Sequence, residues 1–171
     1  MANEIMKDIN QFLTFMLGKE IFAVDISTVR EVLELTAVTR IPRTPKFMRG
    51  VINLRGNAVP VVDMRQKLGM SAQEDTVETC IIIVEIDFEG DITVMGALVD
   101  SVNEVFEMGE KDIEPAPKMG AAVDASYIKG MGRQDDDFII IMDIGKIFSA
   151  EELAMAKQAV NADEADELSA A

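Results

Sequence analysis

The chain has 171 residues, 49% hydrophobic and 27% charged, with a formal net charge of −15 and no histidine. That length suits one compact domain or two very small ones, and the composition excludes wholesale disorder. Without histidine the chain cannot assemble Ser–His–Asp or Cys–His catalysis, and it lacks the commonest metal ligand and the ordinary near-neutral pH switch.

The first ten residues lack a basic start followed by a long apolar stretch, so no secretory signal is expected. No apolar run approaches the roughly 20 residues that span a bilayer. Residues 12–17 and 21–24 read as strands around Gly18-Lys19-Glu20, a hairpin with glycine in its turn. In the next run, strand alternation places Val29, Glu31, Leu33 and Leu35 on one face and Arg30, Val32 and Glu34 on the other. Val32 is then an apolar residue between two charges. It either meets a partner or packs under a neighbouring loop.

Pro42 and Pro45 mark one loop, and Pro115 and Pro117 a second. Gly50–Leu54 and Ala58–Val62 flank Arg55-Gly56-Asn57, where Gly-Asn suits a tight turn because glycine adopts positive φ without steric cost. Pro60 lies within a strand-like run, which places it at an edge or at the start of regular pairing. Cys80–Asp87 and Ile92–Val99 form another hairpin around Phe88-Glu89-Gly90-Asp91. Cys80, the sole cysteine, lies among β-branched residues and reads as a buried strand thiol, which fits a cytoplasmic location. Phe138–Met142 follows Gln134-Asp135-Asp136-Asp137, a solvated turn rather than a metal site, since adjacent turn carboxylates rarely converge on one ion. Ser149-Ala150-Glu151-Glu152 reads as a capping box. Leu153, Ala156, Lys157 and Val160 continue it at helical spacing, and residues 161–171 form an acidic tail.

An internal duplication organises these segments. Phe47–Val51 corresponds to Tyr127–Met131, and Val61–Met64 to Ile141–Ile144, both at an offset of 80. Val29–Leu35 corresponds to Val102–Met108 at an offset of 73, with four of seven positions identical. Val105 is thereby the counterpart of Val32, and Asp63 and Asp143 are equivalent residues at strand ends, suited to capping the turns that follow. Two similar β units of about five short strands each suit two small closed barrels with a groove between them. Charge is uneven as well. Residues 30–67 carry eight basic and three acidic residues, a local charge of +5 on an acidic chain. This window either faces an acidic partner or is a solvated surface. No GxxxxGK[ST] or GxGxxG phosphate loop is present.

The stretch Gly50-Val51-Ile52-Asn53-Leu54-Arg55-Gly56-Asn57-Ala58-Val59-Pro60-Val61-Val62-Asp63-Met64-Arg65 resembles the NLRG turn and P-V-V-D-L/M-R pattern of the CheW-like adaptors of bacterial chemotaxis. Phe12–Phe15, Ile41–Pro45, Leu98–Val102 and Ile113–Pro117 fit the same family, in order, so the resemblance runs from about Phe12 to Phe148. It implies a mainly β fold: two SH3-like five-stranded β-barrels side by side about a shared hydrophobic interface, with short helices and a C-terminal helix. The domain would span 12–150, its first barrel about 12–70 and its second about 78–148, with strand exchange left open. Residues 151–171 would be a C-terminal helix and acidic tail.

By the same resemblance the protein is a non-enzymatic scaffold without catalytic residues, cofactor or metal. Its implied partners are the regulatory domain of a CheA-type histidine kinase and the cytoplasmic hairpin tip of methyl-accepting chemoreceptors. Val29, Glu31, Val32 and Gly50 match the first barrel's kinase-docking surface. Met119 matches an apolar kinase contact of the second barrel, where the family often has an aromatic. Arg55 matches a functionally important arginine and, with Val102 and Val105, is assigned to receptor binding. The expectation is a cytoplasmic protein, monomeric alone, recruited to membrane-associated receptor arrays without inserting into the bilayer. Two other readings stand against this one. A small acidic hydrolase or metal-dependent enzyme is opposed by the missing histidine and phosphate loops. A nucleic-acid-binding barrel using residues 30–67 is opposed by the overall negative charge and the absence of paired exposed aromatics.

Overall fold

Glycine-bearing turns and period-two apolar runs produce strands, and the partition of their two faces builds the molecule. A computed structural model describes residues 9–71, 73–88, 90–115, 125–134, 136–149 and 152–154. The strands are β1 (Ile9–Leu17), β2 (Glu20–Asp25), β3 (Val29–Glu34), β4 (Met48–Leu54), β5 (Asn57–Asp63) and β6 (Cys80–Phe88). They continue with β7 (Asp91–Val99), β8 (Ser101–Gly109), β9 (Ile113–Glu114), β10 (Ile128–Gln134) and β11 (Asp137–Met142). One-turn helices, Met64–Lys67 and Ile144–Ile147, follow β5 and β11 at equivalent repeat positions.

One sheet has the order β3-β6-β7-β5-β4, the other β8-β1-β2-β11-β10-β9. The duplication maps the first order onto the second, with the hairpins exchanged. β6–β7 lies inside the sheet built on β3–β5, and the N-terminal hairpin β1–β2 lies inside the sheet built on β8–β11. Each sheet contains one parallel pair, Val61 opposite Gly96 in the first and Ile141 opposite Ala23 in the second. The repeats share their irregularities too. The register slips between Met48 and Gly50 and again between Ile128 and Gly130, 80 positions on. The isolated Thr39–Val51 bridge has as its counterpart the Glu114–Met131 pairing that makes β9 a sixth, two-residue strand.

Alternation then sorts the cores. Ile81 and Ile83 point into a cluster with Ile52, Val59, Val61 and Leu98, the interior of the first barrel. Ile82, Val84 and Ile86 point the other way, into the large core shared by the two barrels. Phe12, Met108, Ile139 and Ile141 fill the second barrel, while Leu13, Phe15 and Met142 face the shared core. There Phe15 and Phe22, directly opposed on β1 and β2, stack with ring centroids 5.9 Å apart. Where β1 slips against β8, the Thr14 hydroxyl donates to the Glu104 carbonyl at 2.7 Å and accepts from the Glu104 amide at 3.2 Å, replacing the lost ladder bonds.

Several expectations sharpen in three dimensions. Pro60 sits inside the sheet, opposite Val51, and the parallel ladder to β7 begins at the next residue, so its missing N–H breaks no bond on that side. The β4–β5 turn is centred on Arg55-Gly56 rather than Gly56-Asn57: φ is 52° at Arg55 and 87° at Gly56, and Leu54 pairs with Asn57. Asn53 supports it by accepting the Gly56 amide at 2.8 Å. Asp63 caps the helix after it, accepting from the Arg65 amide at 3.0 Å, whereas Asp143 makes no side-chain cap bond. The capping box forms, with Ser149 N donating to Glu152 Oε1 at 3.2 Å and Glu152 N to Ser149 Oγ at 3.1 Å. Cys80 is half-buried rather than buried, because β6 begins there, and its thiol donates to the Glu78 carbonyl. Asp135, Pro117, Met119 and residues 155–171 lie outside the described residues.

A charged clamp crosses between the repeats. Arg65, in the helix after β5, donates through Nε to Asp100 Oδ1 at 2.7 Å and through Nη2 to Asp100 Oδ2 at 2.5 Å. Asp100 also accepts the amide of Gly18, in the β1–β2 turn, at 2.7 Å. Burial on its own raises the Asp100 pKa, but the Arg65 guanidinium and the Gly18 amide outweigh it and hold the carboxyl below its usual range. Asp100→Asn is expected to lower stability by about 2 kcal/mol at pH 7, the loss of hydrogen bonds to a charged group. Because the folded pKa is lowered, this stabilisation is present above the unfolded value near 4 and fades as pH falls through the lower folded value. Denaturant melts at pH 7 and pH 3 check this: the gap between parent and variant should narrow in acid.

Candidate partner-docking site

Of the residues singled out by sequence, Val29, Glu31 and Val32 lie on β3, Val102 and Val105 on β8, Arg55 in the β4–β5 turn and Gly50 on β4, while Met119 lies outside the described residues. β3 is one of the two edge strands of its sheet, opposite β4, and β8 is one of the two of the other, opposite β9. Edge strands present side chains and backbone where another chain can reach them. Along β3, burial alternates as expected, with Val29, Glu31 and Leu33 half-buried and Arg30, Val32 and Glu34 exposed. Val29 lies opposite Val84 and packs on the shared core. Val32 is 41% exposed, between Arg30, which pairs with Glu85 at 2.8 Å, and Glu34. It does not pack under a loop.

Glu31 and Arg55 are brought together. The Arg55 guanidinium forks onto the Glu31 carboxylate, with Nη1 donating to Oε1 at 3.3 Å and Nη2 to Oε2. Glu31 belongs to β3 and Arg55 to the end of the β4–β5 hairpin, so this pair ties the two edges of the first sheet across the barrel seam. The arginine side chain is otherwise exposed. Its left-handed backbone is unusual for a side chain of this size and holds the guanidinium against β3. The hydrogen bond and charge of Glu31 push the Arg55 pKa further up.

Gly50 is placed differently from its β3 companions. It is buried, with φ 147°, and a Cβ there would lie 2.2 Å from the Thr39 carbonyl oxygen. Its contribution is to let the chain at Val38–Thr39 bridge to Val51. On the second barrel, Val102 is half-buried opposite Phe15 and packs on the shared core, and Val105 is 49% exposed opposite Leu13. The two repeats thus each offer one exposed valine on an edge strand and one half-buried valine three residues earlier.

Sequence reasoning missed the charged lining of the interface. Lys67 is nearly buried, its Nζ bonded to Glu152 at 2.5 Å and 4.7 Å from the centre of the Phe47 ring, with Phe148 and Tyr127 at 5.7 and 5.8 Å. Phe47 and Tyr127 are repeat equivalents, so the cage was half visible in the duplication. Among the described residues no cluster of carboxylates and thiol is arranged to hold a metal ion, and no helix is long and apolar enough to cross a membrane.

This arrangement, two hairpin-exchanged barrels about a shared core, meets a sequence profile described as CheW-like domain, which matches residues 11–152. The chain belongs to the CheW-like domain family. It is 37% identical over 148 residues to the chemotaxis protein CheW of Klebsiella aerogenes, covering 85% of each chain. It is 33% identical over 142 residues to that of Rhizobium meliloti, covering 83% of this chain and 89% of the relative. The crystal structure of the scaffolding protein TtCheW from Thermoanaerobacter tengcongensis superposes with a TM-score of 0.74 at 35% identity, over 84% of this chain and 90% of that one. CheW-like proteins are scaffolding adaptors and not enzymes, and this one is a coupling adaptor of chemotaxis signalling.

Proposed function

We propose that this CheW-like protein holds a CheA-type histidine kinase and methyl-accepting chemoreceptors in one assembly, the first through the kinase regulatory domain and the second through the receptor hairpin tip. The observation that carries the reading is the pair of equivalent edge strands, β3 and β8, each with an exposed valine, on two barrels that share one core. Val29, Glu31 and Val32 face the kinase, with Gly50 shaping the neighbouring backbone and Met119 adding a contact from the second barrel. Val102 and Val105 face the receptor. Arg55, paired with Glu31, stands between the two assignments and is the residue through which receptor engagement reaches the kinase surface. The two barrels fold as one unit, followed by a C-terminal helix and acidic tail. The protein works in the cytoplasm, monomeric until membrane-associated receptor arrays recruit it, and takes no nucleic acid or cofactor. Its mechanism is positional: it places a kinase where a receptor's conformational change can bias it, which requires different contacts in the two signalling states.

Kinase autophosphorylation tests this, measured with receptor signalling fragments and a CheA kinase from the same organism, with and without the adaptor. Strong activation confined to the three-component mixture supports the reading. No activation by folded adaptor and active kinase sinks it for those partners. Val32→Asp is expected to weaken binding of the kinase regulatory domain at least tenfold, on the order of a modest hot spot, by placing a charge where an apolar contact forms. Isothermal titration reads this, and unchanged affinity in a folded variant would remove β3 from the kinase interface.

A further inference from the structure

Residues 30–67 carry eight basic side chains, and the structure sorts them into two sets. Five are engaged in ion pairs: Arg30 with Glu85, Arg49 with Asp75, Arg55 with Glu31, Arg65 with Asp100 and Lys67 with Glu152. The other three, Arg40, Arg43 and Lys46, are exposed and meet no carboxylate among the described residues. All three lie on the loop between β3 and β4, and no acidic residue occurs between Glu34 and Asp63. The loop is held in shape by its own bonds. Thr39 exchanges two bonds of 2.8 Å with Val51, the Thr44 hydroxyl donates to the Ile41 carbonyl at 2.9 Å, and Met48 N donates to the Pro45 carbonyl at 2.9 Å. Three like charges are thus presented together on an ordered loop, on a protein whose remaining surface is acidic.

An anionic segment of matching size lies in the same chain. Residues 161–171 hold Asp163, Glu164, Asp166 and Glu167 and no basic residue. The turn at Glu152–Ala154 brings the chain to the loop. Glu152 bonds Lys67 Nζ at 2.5 Å, that ammonium lies 4.7 Å from the centre of the Phe47 ring, and Lys46 is the next residue. Leu153 is buried in the shared core against which Phe47 also packs. Asp163 follows Ala154 by nine residues. A chain of that length reaches about 30 Å when extended and about 14 Å when helical, enough in either form to bring the carboxylates to the loop. We propose that the acidic segment 163–167 docks on the basic loop 40–46 of its own chain, pairing its carboxylates with Arg40, Arg43 and Lys46. Tethering favours this occupant over a free one, because a short linker gives an effective concentration on the order of millimolar. A second copy of the chain, itself of formal charge −15, is repelled overall. The contact rests on exposed charges, so salt weakens it, and an acidic segment of another protein must displace the tail to reach the loop.

Paramagnetic relaxation in the full-length protein tests this. A nitroxide is attached at Ala165→Cys, with Cys80→Ser removing the other thiol, and backbone amide intensities are read with the label oxidised and reduced. At low salt the amides of Arg40, Ile41, Arg43, Thr44 and Lys46 should lose at least half their intensity. Raising the salt to about 0.5 M, where charges are screened within about 5 Å, should restore most of it. Neutralising the tail by Asp163→Asn, Glu164→Gln, Asp166→Asn and Glu167→Gln should restore it at low salt. So should neutralising the loop by Arg40→Gln, Arg43→Gln and Lys46→Gln, all at exposed positions. Full intensity at the loop amides in the low-salt parent would overturn the proposal. So would losses equally strong around Lys19, Lys111 and Lys129, or losses that survive both sets of substitutions. Mixing spin-labelled protein without isotope with isotope-labelled protein without spin label reads contacts between molecules. Broadening of the loop amides in that mixture, as strong as within one chain, would make the occupant a second copy and overturn docking in the same chain. The experiment contains neither kinase nor receptor, so its failure leaves the adaptor reading standing.

Discussion

Glu152→Ala is expected to lower stability by about 3 kcal/mol, because it strands the ammonium of Lys67 in a site built to receive a neutralised charge. The lysine side chain keeps only 8% of its exposure and is hemmed in by Phe47, Tyr127 and Phe148. Cation–π contact compensates part of its lost hydration, roughly 0.5–2 kcal/mol, but the carboxylate is the formal counter-charge. For a chain of this size the loss corresponds to a fall in Tm of about 6–12 °C, readable by calorimetry. Burial raises the Glu152 pKa, but Lys67 and the amide and hydroxyl of Ser149 outweigh it, so the carboxyl titrates below its usual range. Its contribution is therefore complete above the unfolded pKa near 4.3 and lost as pH falls through the lower folded value.

The double variant Lys67→Met, Glu152→Leu separates charge from packing. Methionine suits an aromatic cage, and replacing a buried ion pair by apolar groups of similar size is often neutral or stabilising. The double variant should melt within a few degrees of the parent while Glu152→Ala alone does not. A Glu152→Ala protein with the parental Tm would mean that Lys67 swings out to water and that the C-terminal turn is not a clasp on the barrels.

The contrast between what the residues announced and what they concealed follows the range of the interactions. Hairpins were legible because glycine turns and period-two runs are local: Gly18 has φ 66° and lies between β1 and β2 as its spacing implies. The β3 alternation was legible for the same reason, down to the exposed Val32. Which strands share a sheet was not, since β1 pairs with β8 about 90 residues away and β2 with β11 beyond that. The Arg55-Gly56 turn escaped a composition rule because Asn53, outside the turn, holds it. The Lys67 cage draws on residues from Phe47 to Glu152 and has no local signature. The clamp between Arg65 and Asp100 joins two of the segments that carried the family resemblance, but no spacing rule pairs them.

Gly50→Ala is expected to cost about 4 kcal/mol, more than any surface change in the docking strand. The added Cβ would lie 2.2 Å from the Thr39 carbonyl oxygen and 2.8 Å from Val38 Cγ1, and the backbone at φ 147° disfavours any side chain. Overpacking and backbone strain contribute roughly 1–3 kcal/mol each. The obstacle is backbone rather than a flexible side-chain end, so the Thr39–Val51 bridge, held by two bonds of 2.8 Å, must open. A loss of kinase binding by this variant thus comes with a lower melting temperature, through displacement of the chain beside β3. Val32→Asp, at a half-exposed position, should lose binding while keeping stability within about 0.5 kcal/mol. Running thermal melts and titrations on both variants distinguishes a residue that shapes the surface from one that touches the partner. If Gly50→Ala melts like the parent yet fails to bind, the bridge is dispensable and Gly50 itself lies against the kinase; if it melts early and binding returns at low temperature, its place is beneath the interface, as its burial indicates.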